Sequence, residues 1–291
     1  MYSIRLIPNC DSETCQRPSV SSRISRAVST FSCARTKPEP YGFEHAWAMR
    51  IKNTQPNAPV EEFSVHFIAF ASGISVRTSD AILAGLPWPN TIERSASCRR
   101  AEFVFGRLAA RHALAQLSPA LVNALVPIGG DREPLWPVGI LGSITHVSGL
   151  AGAAVVPASS WRHIGIDLEQ TARGDAQQAL RTLALDSTEL GLLQRPCDVA
   201  DQSDLDTRVT HVFSAKEFLY KAAFPTVRRF FGFSAARLCA YEFFSPGHGP
   251  EIRLALEMTE EVGGEFVMDS RWWVEVWRLQ GSNTCLSVLA C

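Results

Sequence analysis

Gly165-Ile-Asp-Leu-Glu169 and Phe213-Ser-Ala-Lys-Glu-Phe-Leu-Tyr-Lys221 are the stretches on which the reading of this chain turns. The first alternates in a strand-like way. Ile166 and Leu168 point to one side, and Asp167 and Glu169 leave the other. At about 3.3 Å per residue the two acids lie roughly 7 Å apart along the backbone, within reach of one cation. The second stretch is helical in pattern. Glu217 and Lys221 are neighbours at i and i+4, while Lys216 leaves at a different angle. Three carboxylates and two ammonium groups suit metal-assisted phosphoryl transfer.

Each fragment also has a bland explanation. Two acids two residues apart occur at many solvated strand ends. Glu217 and Lys221 read equally well as a surface ion pair worth about 0.3–0.5 kcal/mol. Ser214-Ala-Lys-Glu217 matches a capping box, which would employ Glu217 at a helix start. Apolar Val209, Val212 and Phe213 upstream favour a helix already under way.

Working outward, a strand pattern runs from Phe63 towards Val76, and a helix from Ser97 to Leu117. Short apolar runs over Gly139–Thr145, Ala151–Val156 and His163–Leu168 read as strands. Helical patterns cover Arg181–Leu193, stopping before Pro196, and Thr207–Phe224, stopping at Pro225. Four more strands are expected, over Ala236–Phe243, Glu251–Leu256, Phe266–Trp277 and Cys285–Ala290. The connections are mostly too short for crossovers, so the fold class is α+β with mainly antiparallel sheets in two halves, each with one main helix. The expected organisation is a flexible extension over 1–60, an N-terminal half over 61–158 and a C-terminal half over 159–291. The extension is Ser- and Arg-rich and acid-poor between Arg17 and Arg35. It reads as a tail, a transit peptide, or a start assigned too early, with Met49 as the true one.

The chain has 291 residues, 46% hydrophobic and 20% charged, with a formal net charge of −1. That balance fits a soluble globular protein and argues against a global basic field for nucleic acid. No apolar run is long enough to span a membrane. The eight cysteines form no C-x-x-C pair, which weakens zinc and dithiol chemistry. Reduced thiols and the lack of a secretory pattern lead to an expected cytoplasmic location.

Outside the two acidic and basic stretches, His146 closes Gly142-Ser-Ile-Thr-His146, where a histidine is more often structural than catalytic. Arg100, Arg107 and Arg111 share one face of the first long helix, which suits either phosphate clamping or ordinary solvation. Arg228-Arg229 followed by Phe230-Phe-Gly-Phe233 reads as loop punctuation before core aromatics, or as a partner surface.

Taken in order, these motifs resemble the 4′-phosphopantetheinyl transferases of the enterobactin-synthetase subgroup. The resemblance rests on Arg99-Arg-Ala-Glu-Phe103, Gly106-Arg-Leu-Ala-Ala-Arg111, Pro134-Leu-Trp-Pro137 and Gly142-Ser-Ile-Thr-His146. It continues through Gly165–Glu169, Phe213–Lys221 and Phe224–Phe233. Phe213 departs from the tryptophan common at that position, and Phe218 stands where a small residue is usual. The resemblance implies two pseudo-symmetric α+β halves with the active site between them. It implies transfer of the phosphopantetheine arm of coenzyme A to a serine of an apo acyl or peptidyl carrier protein. Asp167, Glu169 and Glu217 would hold Mg²⁺, or Mn²⁺ in its place. Lys216 and Lys221 would contact phosphate, with Lys221 stabilising the leaving side and Glu217 doubling as general base. His146 would meet the coenzyme A phosphates. Arg100 and Arg107, with Arg132 a weaker candidate, would grip the 3′-phosphate end. A two-half chain completes its own site, so a monomer is expected. Two rivals stand beside this reading: a magnesium-dependent phosphohydrolase of coenzyme A or nucleotides, and a binding module without turnover.

Overall fold

The structure is a computed structural model that describes residues 43–52, 62–195, 203–243, 250, 252–279 and 282–291. Most of the expected extension, the 53–59 breaker segment and the stop at Pro196 lie outside the described residues. The chain divides into two compact units that part between Ile166 and Asp167. Each is described by itself.

The described part of the first unit covers 43–52, 62–166 and 290–291. It contains β1 (Phe43–Lys52), β2 (Glu62–Phe70), α1 (Thr78–Leu83), α2 (Asn90–Glu93), α3 (Ser97–Leu117), β3 (Ile140–Val147) and β4 (Leu150–Pro157). The strands form one antiparallel sheet in the order β1-β2-β4-β3. β1 corrects the expected extension: residues 43–52 pair with β2, and Met49 sits inside the strand opposite Val65. The alternating residues Trp47, Met49 and Ile51 gave no signal against the breaker-rich segment that follows them. α3 has the expected bounds and lies on β2, β3 and β4. Its approach is close because Gly106 has no side chain. A Cβ there would sit 2.9 Å from Ile144 Cγ2. Phe105, fully buried, stacks on Phe70 with ring centroids 4.3 Å apart.

The second unit covers 167–289. Its elements are β5 (Ile164–Gln170, which starts in the first unit), α4 (Gly174–Ala184), α5 (Ser187–Gln194), α6 (Leu205–Val227), β6 (Ala236–Phe243), β7 (Ile252–Met258), β8 (Arg271–Arg278) and β9 (Thr284–Ala290). The sheet order is β5-β9-β8-β7-β6, antiparallel between β6 and β7, β7 and β8, and β8 and β9. α6 lies against β7 and β8, with α4 and α5 beside it. The expected class, α+β with two mainly antiparallel sheets and a long helix on each, is what the units display.

Among the boundaries that differ from the sequence reading, β2 ends at Phe70, short of Val76, and three others have a local cause. The single helix expected over Arg181–Leu193 is two, because Asp186 starts a new one. Its carboxylate accepts from Glu189 N and Glu189 accepts from Asp186 N, both at 2.8 Å, a reciprocal cap. α6 runs through Pro225 and ends at Arg228, whose φ of 54° is left-handed. A proline in the last turn removes one helical hydrogen bond without ending the helix. β8 starts at Arg271 rather than Phe266, since Val262 N donates to Phe266 O at 2.9 Å and closes a turn there.

Among the described residues Cys98, Cys239, Cys285 and Cys291 are free thiols. No helix among them is long and apolar enough to cross a membrane.

Glu275 on β8 is 4% exposed, and burial pushes its carboxyl from 4.5 up to about 7, with Arg253 opposing. The folded state therefore holds a proton that the unfolded chain releases above 4.5. Stability conferred this way is complete below that pH and is lost as pH rises through 7. The shift corresponds to about 3 kcal/mol. Urea unfolding from pH 4.5 to 8 is expected to show a falling contribution of that size, and Glu275→Gln to flatten it.

Candidate active site

Asp167, 3% exposed, lies in the middle of β5, with Ile166 and Leu168 buried on either side of it. Ser143 Oγ accepts from Ile166 N at 3.1 Å and fixes the strand just before it. Both Asp167 oxygens are engaged by α6. Lys221 Nζ donates to Oδ1 at 2.5 Å and Ser214 Oγ donates to Oδ2 at 2.9 Å. Glu217 belongs to the same group. Its carboxyl is pushed up to about 7, first by burial and then by the charge of Asp167, with Lys221 opposing. Ser214, Glu217 and Lys221 stand at spacings of three and four, so one stripe of α6 faces Asp167.

The capping-box reading of Ser214 does not hold. α6 begins well upstream, where Asp204 accepts from Thr207 N at 2.9 Å. Ser214 was legible only as a cap, and its role on Asp167 was missed.

Lys216 requires a correction. Two residues past Ser214, it is turned about 200° around the helix axis, away from the stripe. Its side chain is 2% exposed, and its Nζ lies 2.6 Å from Glu189 Oε1 and donates to Ala184 O at 2.7 Å. Burial draws its pKa down and Glu189 counteracts this. Lys216 is thus a core ion pair within the second unit, and the structure does not present it to a phosphate. Glu189, which also accepts from Leu238 N at 2.7 Å, was not anticipated.

The expected three-carboxylate metal set is not assembled. Among the described residues no group of three His, Cys, Asp or Glu side chains could hold a metal ion. Glu169 is half-buried at the end of β5. Its charge, with that of Asp167, acts on the Cys285 thiol, which burial above all pushes up. The Asp167–Glu217 pair does fit a cation. A half-buried carboxyl pushed up to about 7 beside a second carboxylate is short of positive charge.

In the first unit, α3 carries the arginines. Arg107 is 8% exposed, with its guanidinium carbon 4.9 Å from the Phe103 ring centroid. Burial first, then the charge of Arg99, draws it down to about 10. Among the described residues the Nε atoms of Arg100 and Arg107 are buried without a hydrogen-bond partner. Two such groups suit an anion. Arg111 does not join them, since its Nη1 donates to Ala84 O at 2.6 Å. His146 Nε2 lies 2.9 Å from Arg99 Nη1, and its Nδ1 lies 3.8 Å from buried Glu102. Glu102 was another residue the sequence reading passed over. Arg132 is exposed at the tip of the Gly129–Glu133 turn with φ 66°, a left-handed conformation.

Beyond α6, Arg229 donates to Val262 O at 2.9 Å and to Glu261 O at 2.5 Å, tying down the neighbouring turn. Phe230, 66% exposed, lies beside Tyr220.

Two family models match the chain in succession. The 4′-phosphopantetheinyl transferase N-terminal domain matches residues 89–156, and the 4′-phosphopantetheinyl transferase superfamily matches 163–256. Enterobactin synthase component D of Salmonella typhi is 35% identical over 140 residues, 48% of this chain and 55% of that protein. 4′-Phosphopantetheinyl transferase PptT of Mycobacterium tuberculosis is 37% identical over 151 residues, 50% of this chain and 61% of that protein. The chain thus spans less than two thirds of these relatives. It spans 77% of enterobactin synthase component D of Escherichia coli, at 30% identity over 60% of its own length. Matched in both halves and related over most of that last protein, this chain belongs to the 4′-phosphopantetheinyl transferase superfamily.

Proposed function

We propose that this chain transfers the 4′-phosphopantetheine arm of coenzyme A to a serine of an apo acyl or peptidyl carrier protein, releasing adenosine 3′,5′-bisphosphate. The observation that carries the reading is the Asp167–Ser214–Glu217–Lys221 group, in which Asp167 accepts from both Ser214 and Lys221 beside the half-buried Glu217, whose carboxyl is pushed up to about 7. A general base works best when its pKa lies near the working pH. Glu217 takes the proton of the attacking serine. The serine oxygen bonds to the β-phosphorus as the bond to the leaving bisphosphate breaks, and Lys221 stabilises the charge that develops. Asp167 and Glu217 are the residues that would hold Mg²⁺. Bound there, the ion would neutralise pyrophosphate charge.

Arg100, Arg107 and His146 hold coenzyme A phosphate in this reading. Arg107→Ala is expected to raise the KM for coenzyme A by about tenfold or more with kcat little changed, because the loss is of uniform binding. Steady-state kinetics with coenzyme A varied checks it. Arg132, exposed at its turn, contributes least.

The partner is a carrier protein with an acidic recognition helix, and Arg228 with exposed Phe230 is the surface offered to it. Relatives named for enterobactin synthesis put peptidyl carriers of siderophore type first among those to test. The proposed setting is the cytoplasm, with the chain acting as a monomer. The deciding experiment is mass spectrometry of several apo carrier proteins incubated with coenzyme A and Mg²⁺. A gain of one phosphopantetheine arm on the carrier serine supports the reading. Bisphosphate released equally without carrier would replace it with phosphohydrolysis.

A further inference from the structure

The anion site of the first unit contains a carboxylate. Glu102, 5% exposed, projects from α3 beside Arg99 and His146. Its Oε2 lies 3.6 Å from Arg99 Nη1 and 3.8 Å from His146 Nδ1. These distances are of ion-pair length, and the second is too long for a direct hydrogen bond. A carboxylate beside a phosphate site weakens anion binding unless it arranges something in return.

The tautomer of His146 shows what it arranges. Arg99 Nη1 approaches His146 Nε2 at 2.9 Å. A guanidinium has donors only and stays charged, so Nε2 must accept. The imidazole is then neutral and carries its proton on Nδ1, the nitrogen facing Glu102. With Arg99 in this position, Nε2 offers an anion nothing. Arg99 reaches His146 from a half-exposed side chain (45%), whereas the Glu102 side chain is only 6% exposed. Among the groups facing His146 are Arg99 and Glu102 from α3, and Ala151 of β4 is its partner across the ladder.

We propose that Glu102 is a positioning residue that couples anion arrival to proton uptake by His146. It rests on the reading of this cluster as a coenzyme A phosphate site. An arriving phosphate draws Arg99 off Nε2. The freed nitrogen takes a proton from the buffer, and the imidazolium donates through Nε2 to the phosphate. Glu102 stabilises the imidazolium from the Nδ1 side, as a carboxylate behind a histidine does for other bound charges. Arg99 and His146 thereby change from partners of each other into two donors towards one anion.

The test is calorimetry of coenzyme A binding near pH 8, in two buffers of different ionisation enthalpy. Phosphate monoesters are already dianionic there, since their second pKa is about 6, so any uptake belongs to the protein. Wild type is expected to take up on the order of one proton per ligand. Glu102→Gln is expected to lose most of that uptake and to raise the KM for coenzyme A about tenfold, with kcat changed much less. His146→Gln abolishes the uptake independently, and thermal unfolding of both variants identifies simple misfolding. Wild type that binds coenzyme A without proton uptake overturns the inference, as does a folded Glu102→Gln that keeps full uptake. Wild type that fails to bind coenzyme A overturns the functional reading instead.

Discussion

Asp167→Asn is expected to lower carrier-protein modification by about 10³-fold, the size of effect seen when one preorganised charge is removed from a phosphoryl or acyl centre. Asp167 is the point at which three side chains of α6 meet. It accepts from Lys221 and Ser214, and its charge adds to burial in pushing the Glu217 carboxyl up. An asparagine keeps the shape but removes the charge, so Glu217 loses a proton at lower pH and Lys221 loses its counter-charge. The pH optimum of the residual activity should therefore move down. Ser214→Ala is the milder companion. It removes one hydrogen bond and leaves both charges, for an expected loss of about tenfold and a stability change of about 1 kcal/mol. Steady-state transfer to an apo carrier protein, with thermal unfolding alongside, separates chemistry from folding. A folded Asp167→Asn protein with kcat/KM within tenfold of wild type would remove Asp167 from the mechanism.

The second large effect falls on stability. Lys216→Ala leaves the Glu189 carboxylate buried without its ammonium partner, and breaking such a pair costs about 3–5 kcal/mol. Glu189 retains backbone donors at Asp186 and Leu238, so the lower end of that range is the expected result. The double variant Lys216→Met with Glu189→Gln removes both charges together and keeps an acceptor for those donors. It is expected to recover most of the loss. Denaturant unfolding of Lys216→Met, Glu189→Gln and the double gives the coupling directly. The folded fraction of Lys216→Met should bind coenzyme A with near-normal affinity, whereas a phosphate ligand at this position would cost at least tenfold.

Much of this was legible in the sequence. Ser97–Leu117 carries its period over 21 residues, and its ends fall where the pattern stops. The strand Gly165–Glu169 could be placed because its apolar and acidic residues alternate. What was hidden is physically specific. α6 is buried nearly all round between Val209 and Lys216, so its pattern does not say which polar residue faces the site and which faces the core. The partner of Lys216 lies on another helix, and only tertiary structure brings it near. The spacing of Ser214, Glu217 and Lys221 was a usable signal, since those three share a stripe that Lys216 leaves. Arg99 and Glu102 at i and i+3 were visible too, but a salt-bridged helix surface has the same appearance. The reciprocal cap at Asp186 was masked by a hydrophobic period that continues across it.

Arg132 and Arg228 are two of the three non-glycine residues at positive φ among those described. A side chain held there costs about 1–2 kcal/mol that glycine would not. A directed-evolution campaign scored only on melting temperature would therefore drift to glycine at both positions and register each step as a gain. If either guanidinium contributes to ligand or carrier affinity, that campaign trades turnover for heat tolerance without any residue of the catalytic group having changed.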